Sequence, residues 1–290
     1  MKTGILLSAL LFASTALPDT AAEPDAPDGP AAQVLTTMTG IRFGIWPAKP
    51  RSPAPTVFIF ANSIEGTLNS SYFRQAGNLL AKHGYVCVSV DLPSHGQEIR
   101  EGEEEGLTGW RKRCEQGENF VDEAVKKFSA VLDALVETRV TDPTKIAACG
   151  TSRGGFMALH FAAADPRVAC VATFGQLTDM TALREFQGIT PREMTEQLAL
   201  QQHTSRLAGK AIWLVIGDRD ERVGTDRVIS FARSVIHASL KAKLPAQVEL
   251  HVMPEPRGHS VPAGSAEQAA AWILRQIDNS STTTPPSQTK

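Results

Sequence analysis

The sequence predicts a doubly wound α/β fold: a mostly parallel sheet with helices on both faces. Two observations carry this. Apolar runs of strand length, such as TVFIFA (56–61), YVCVSVD (85–91) and AIWLVIGD (211–218), are continuous rather than alternating. Strands buried on both faces read this way. These runs also take turns along the chain with segments whose apolar residues recur at helical spacing. That alternation is the mark of parallel strands joined by crossover helices.

Taken in order, the first residues stand outside the fold. MKTGILLSALLFASTAL has a lysine at position 2 and an apolar stretch from Ile5 to Leu17, and TAA ends at Ala22. This is the signal-peptide pattern, so residues 1–22 are expected to be removed on export to the periplasm or the medium. The apolar stretch is too short to span a bilayer stably, so no membrane insertion is expected of the mature form. Residues 23–33, with EPDAPDGPAA, read as a proline-rich leader, and the main domain is expected over 34–278. The tail, 279–290, is poor in apolar residues and is expected to be disordered.

Within the domain, VLTTMTGIRFGIWPA reads as one or two edge strands. TVFIFA is a buried strand, SSYFRQAGNLLAKHG a helix stopped by Gly84, and YVCVSVD the next strand. EIREGEEEGLTGWRKRC is a charge-rich stretch, read either as a solvated loop or as a rim that places Trp110 over a substrate. NFVDEAVKKFSAVLDALVE is a long amphipathic helix with Phe120, Val121, Ala124, Val125, Phe128, Val131, Leu132 and Leu135 on one side. KIAACG is a strand, GGFMALHFAAA a helix and VACVATFG a strand. A polar, helical segment at about 176–210 reads as a small cap. AIWLVIGD, DRVISFARSVIHASLKA, QVELHVM and SAEQAAAWILRQI complete the pattern as strand, helix, strand and helix.

Bulk composition excludes several function classes. Hydrophobic residues make up 42% and charged residues 21% of 290 residues, with a net charge of −2. Such a chain buries a core of ordinary size and offers no basic face for nucleic acid. Cys87, Cys149 and Cys170 lie in apolar strand-like runs and Cys114 in the charge-rich stretch, so free thiols are expected rather than a disulfide framework. No H-E-x-x-H, paired C-x-x-C or phosphate-loop motif is present, and EGEEEG lacks the spacing of a calcium loop. No cofactor or metal is expected. Oligomeric state is left open.

In doubly wound sheets ligands bind beyond the carboxyl ends of the strands. Those positions hold Asn62 and Ser63, then Thr151-Ser152-Arg153, then Asp218-Arg219-Asp220, then the PEPRGHS loop with His259. A serine, a carboxylate and a histidine therefore stand at three different strand ends. A serine hydroxyl is a weak nucleophile at neutral pH and needs an adjacent base. Histidine has the pKa for that work, and a carboxylate fixes its tautomer. Ser152 is flanked by Gly150, Gly154 and Gly155, as a very tight strand-to-helix turn requires. Asp218 and Asp220 both follow the same strand, and position alone does not choose between them.

The elbow GTSRGG, the segment GDRDERV and the segment GHS, in the order Ser, Asp, His, resemble the α/β-hydrolase superfamily over roughly residues 35–278. HGYVCVSVDLPSHG resembles that superfamily's strand and loop before the long helix. DPTKIAACGTSRGG is similar to the prolyl-oligopeptidase-like and dienelactone-hydrolase-like branches. The resemblance implies Ser152 as nucleophile, His259 as base and Asp220 as the acid, because Asp220 fills the family slot that Val223 closes. Asp218 is then a loop cap and Asp91 structural. The oxyanion donors fall on the backbone of Arg153 and of Ser63, although many relatives carry His-Gly where this chain has Ala61-Asn62. The remaining histidines are expected to pack or to face solvent. Leu177 and Phe186 of the cap are candidates to line an acyl pocket. The implied function is hydrolysis of a small-molecule carboxylic ester through an acyl-enzyme. A serine peptidase of the prolyl-oligopeptidase-like branch is the alternative. Such peptidases carry a large propeller before the fold, where this sequence shows a short leader. A non-catalytic binding module would require a broken triad.

Overall fold

The computed structural model of the chain describes residues 30–47, 49–50 and 52–282. The signal-peptide reading, the leader up to residue 29 and the tail from residue 283 lie outside the described residues. Eight strands, β1 (Gln33–Thr36), β2 (Arg42–Trp46), β3 (Ala54–Phe60), β4 (Val86–Ser89), β5 (Thr141–Thr151), β6 (Val168–Phe174), β7 (Ala211–Gly217) and β8 (Val248–Met253), form one sheet. Its order is β1-β2-β4-β3-β5-β6-β7-β8. β1, β2 and β4 pair antiparallel, and every pairing from β4 through β3 to β8 is parallel. The doubly wound sheet read from the continuous apolar runs is the observed architecture.

Burial explains why those runs are continuous. Val57, Phe58, Ile59 and Phe60 of β3 are fully buried, with odd and even positions facing opposite layers. One core cluster holds Phe58 and Phe60 against helices α3 (Phe120–Glu137) and α4 (Arg153–Ala164). The other holds Val57 and Ile59 against α1 (Ile64–Leu68) and α6 (Ser265–Thr282). α5 (Thr225–Lys241) covers the β7 end through Val228, Phe231, Ala232 and Val235. α3 buries the apolar face read from its spacing, and Asn119 caps its N-terminus by accepting from Asp122 N–H at 3.0 Å. α6 runs four residues past the end expected at 278.

The charge-rich stretch differs from both readings made of it. It folds as α2 (Leu107–Glu115), with Leu107, Trp110 and Cys114 on the buried side. Trp110 is fully buried and its Nε1 donates to Pro93 O at 2.6 Å. It packs on Phe120 and Phe156 at ring separations of 5.0 and 6.0 Å. Three apolar residues at helical spacing suffice to seat the helix, and the charges lie on its other faces. One of them is nonetheless buried: Arg113 donates to Glu103 through Nε at 2.6 Å and Nη2 at 2.8 Å. The Arg113 guanidinium holds the Glu103 carboxyl down at about 2. A carboxylate with a lowered folded-state pKa adds stability that is present above its unfolded pKa and lost as pH falls toward the folded one. Glu103→Gln is therefore expected to lose about 2 kcal/mol at pH 7. Thermal unfolding of the two proteins should converge as pH drops from about 4.5 toward 2; a difference independent of pH would reject the ion pair as its source.

All four cysteines are free and buried. Burial pushes the thiols of Cys87, Cys114 and Cys170 up to about 12, so none of these is a ready thiolate.

Candidate active site

Ser152 stands at the turn between β5 and α4 with φ 54° and ψ −118°. The left-handed backbone throws its side chain clear of the sheet. The glycines are there because the chain has no room for anything larger. A Cβ on Gly154 would stand 1.8 Å from Phe60 O, and one on Gly150 2.3 Å from Gly154 O. The elbow is held from behind: Ser152 N–H donates to Phe174 O at 2.9 Å and Leu177 N–H donates to Ser152 O at 3.1 Å.

His259, on the loop after β8, has Nε2 2.9 Å from Ser152 Oγ and Nδ1 2.7 Å from Asp220 Oδ2. A carboxylate only accepts, so Nδ1 carries the proton and Nε2 is left to accept from the serine hydroxyl. The Asp220 side chain is fully buried, and its other oxygen, Oδ1, accepts Arg222 N–H and Val223 N–H, each at 3.1 Å. Those two amides fix which oxygen faces the histidine. Three side chains 107 residues apart in sequence at their extremes thus form one hydrogen-bonded chain.

Asp218 lies outside that chain. Its Oδ1 accepts Glu255 N–H at 2.9 Å, tying the loop after β7 to the loop that carries His259. An asparagine keeps an oxygen there. Asp218→Asn is expected to leave turnover within about tenfold and to cost roughly 1 kcal/mol of stability, read by esterase rates and thermal unfolding of the same preparation.

The loop after β3 lies against the elbow, where Arg153 Nε donates to Ala61 O at 3.3 Å. Its amides are unequally engaged. Asn62 N–H donates to Thr67 Oγ1 at 3.2 Å and Ile64 N–H to the buried Asp91 Oδ1 at 2.8 Å. Ser63 N–H, between them, has no acceptor among the described residues, and its hydroxyl caps α1 by accepting Gly66 N–H at 3.1 Å. Arg153 N–H opens α4, where first-turn amides have no intrahelical partner. Asp91 also accepts from Arg42 Nη1 at 2.9 Å and from Gln97 N–H at 3.3 Å, so it braces this loop from beneath. Sequence reading assigned Asp91 to structure without showing what it holds.

Leu177 and Phe186 are 1% and 2% exposed and belong to the main core, so they do not line an open acyl pocket. The segment between β6 and β7 carries short helices, including Glu193–Leu198 and Thr204–Leu207. It is tied to α2 by Arg111, whose Nη1 donates to Glu185 O at 2.7 Å and Gln187 O at 2.9 Å. His251 lies against Trp213 at a ring separation of 5.0 Å and His160 is buried, so these two pack; His95 is buried as well, bonded through Nδ1 to Pro93 O at 2.8 Å. Among the described residues no group of three or more His, Cys, Asp or Glu could hold a metal ion, and no helix is long and apolar enough to cross a membrane.

A serine, a histidine and an aspartate thus meet at the strand ends of this sheet. Residues 43–267 match the model of the dienelactone hydrolase family, and the chain belongs to that family. It is a hydrolase of the α/β-hydrolase fold. A protein of Aquifex aeolicus (strain VF5), named as a candidate carboxymethylenebutenolidase, is 25% identical over 198 residues, 68% of this chain and 74% of that one. Among solved structures, a cold-adapted esterase from an Arctic intertidal metagenomic library superposes with a TM-score of 0.59 at 18% identity, covering 84% of this chain and 92% of that chain. The dipeptidyl peptidase 4 of Porphyromonas gingivalis gives 0.59 at 16% identity over 87% of this chain, which spans only 35% of the peptidase. Likeness at this identity speaks for the fold.

Proposed function

We propose that the protein is a serine hydrolase that cleaves carboxylic esters through a Ser152–His259–Asp220 triad and an acyl-enzyme. The observation that carries this reading is the hydrogen-bonded chain from Ser152 Oγ through both nitrogens of His259 to Asp220 Oδ2. His259 Nε2 takes the hydroxyl proton as Oγ attacks the carbonyl carbon, and Asp220 steadies the imidazolium. The developing oxyanion is met by the backbone N–H groups of Arg153 and Ser63, neither of which has an acceptor among the described residues. His259 then returns the proton to the leaving alkoxide, and a water activated by the same base releases the acid.

Ester rather than peptide is supported by the family's name: a lactone is a cyclic ester, and the Aquifex aeolicus relative is also named for a lactone. An alkoxide leaving group also needs less help from the acid than an amine does. Short-chain acyl esters are expected to be cleaved with kcat/KM of about 10⁴ M⁻¹s⁻¹ or above. Proline-containing peptide amides should be cleaved at least about a hundredfold more slowly. Chromogenic esters of graded acyl length, run beside such a peptide on one enzyme batch, test this; a peptide cleaved faster than every ester reverses the ranking. Export is proposed on the N-terminal sequence pattern alone, and N-terminal sequencing of secreted material should find a chain starting near Glu23.

A further inference from the structure

Beside Ser152 lies a pair of polar groups that the triad does not use. The Arg153 side chain has one recorded hydrogen bond, from Nε to Ala61 O, and it forms no ion pair among the described residues. Arg222, Glu105 and Glu185 carry the charges around it, and neither carboxylate pairs with it among the described residues. Arg153 is half-buried, and its terminal Nη groups have no protein acceptor among the described residues, so they are free to meet a ligand. Across from it, His95 is 2% exposed. Its Nδ1 lies 2.8 Å from Pro93 O, which only accepts, so the ring proton sits there and Nε2 presents a lone pair. Nε2 is buried and has no hydrogen-bond partner.

Gly106 stands between the two. Its φ is +73°, and a Cβ built on it would lie 3.4 Å from Arg153 Nη1 and 3.6 Å from His95 Nε2. An arginine donor and an unsatisfied histidine acceptor therefore flank one position that a glycine leaves without a side chain, and the arginine directly follows the nucleophile in sequence.

We infer that this gap is a subsite for a hydroxyl group of the substrate, which accepts from Arg153 and donates to His95 Nε2. The inference rests on the serine-hydrolase reading of the same site and adds the substrate class: esters that carry a free hydroxyl near the scissile bond, as in partly acylated polyols or hydroxy acids. A hydroxyl satisfies both groups at once. A carboxylate satisfies Arg153 alone and turns its own lone pairs on that of His95. A methyl group satisfies neither and leaves the His95 acceptor buried and unpaired. A site built to hydrogen-bond a hydroxyl discriminates strongly against substrates that lack one. Burial holds the His95 imidazole down at about 4, so it stays a neutral acceptor at pH 7.

The test compares matched esters carrying, at the same place, a hydroxyl, a carboxylate or a methyl, with the substituent on the acyl chain in one series and on the alcohol in the other. In one of the two series the hydroxyl ester is expected to exceed the methyl ester in kcat/KM by at least about tenfold. His95→Phe, which keeps a ring against Trp110, should bring that ratio close to one, and His95→Gln, which keeps an acceptor, should restore part of it. Arg153→Met reads the donor side independently should the histidine variants fail to fold. Fluorophosphonate labelling of Ser152 and hydrolysis of the methyl ester, measured for each protein, report the triad separately: no labelling of the unmodified protein overturns the serine-hydrolase reading and this subsite with it. With labelling intact, a carboxylate ester preferred to the hydroxyl ester, or a hydroxyl preference that the variants leave unchanged, overturns the subsite alone.

Discussion

Ser152→Ala is expected to lower ester turnover by about 10⁶, the scale on which removing the nucleophile acts in a serine protease. The substitution deletes the atom proposed to form the acyl-enzyme. What remains, the proposed backbone donors of Arg153 and Ser63 and the binding of substrate, should retain only about 10³–10⁴ of acceleration over water. The fold should survive. Alanine and serine suffer the same strain at φ 54°, and the elbow is held by backbone bonds to Phe174 and from Leu177 that do not involve the hydroxyl. Thermal unfolding should therefore move by no more than the loss of one hydrogen bond to His259, about 1 kcal/mol. A fluorophosphonate probe should label the unmodified protein at Ser152 and leave the variant blank. Unmodified turnover in the folded variant would sink the assignment, because among the described residues no other serine meets His259 Nε2.

Much of this arrangement was legible before any coordinates. Continuous apolar runs announce strands buried on both faces, and β3 obeys, with Val57 to Phe60 feeding two separate cores. The spacing along α3 named each of its buried residues. The elbow was legible because steric crowding admits only glycine at Gly150 and Gly154, so the geometry leaves its mark on the sequence. Elements whose burial depends on distant partners were not legible in the same way. α2 is seated by Leu107, Trp110 and Cys114 amid charged neighbours, and its core contacts come from Phe120 and Phe156. Leu177 and Phe186 have the composition of pocket linings, but the segment that carries them folds down onto the main core. β8 misled less but obeys a different rule: as an edge strand it is half exposed, with Val252 at 43%. The polarity of His95 gave no signal either. Its unpaired Nε2 exists only because Pro93 and Gly106 come together around it.

Asp220→Asn is expected to lower turnover by about 10⁴ while the protein stays folded. The reason lies in the two backbone amides behind the carboxylate. Arg222 N–H and Val223 N–H both point at Oδ1 and need an acceptor there. In the asparagine variant the amide oxygen takes that place, since the reverse orientation would set donors against donors in a buried site. The NH₂ group is thereby turned toward His259 Nδ1, at the position now 2.7 Å away. The imidazole can meet it only by presenting a lone pair at Nδ1, which moves its proton to Nε2. There the ring donates toward Ser152 Oγ instead of accepting from it, and the general base is lost with every atom nearly in place. Turnover measured against thermal unfolding separates this from collapse of the site. The same change at Asp218, two residues earlier, has no tautomer to reverse, because its oxygens meet Glu255 N–H and the Arg219 guanidinium and no imidazole. An inactive Asp218→Asn beside an active Asp220→Asn would exchange the roles of the two carboxylates and break the hydrogen-bonded chain on which the mechanism rests.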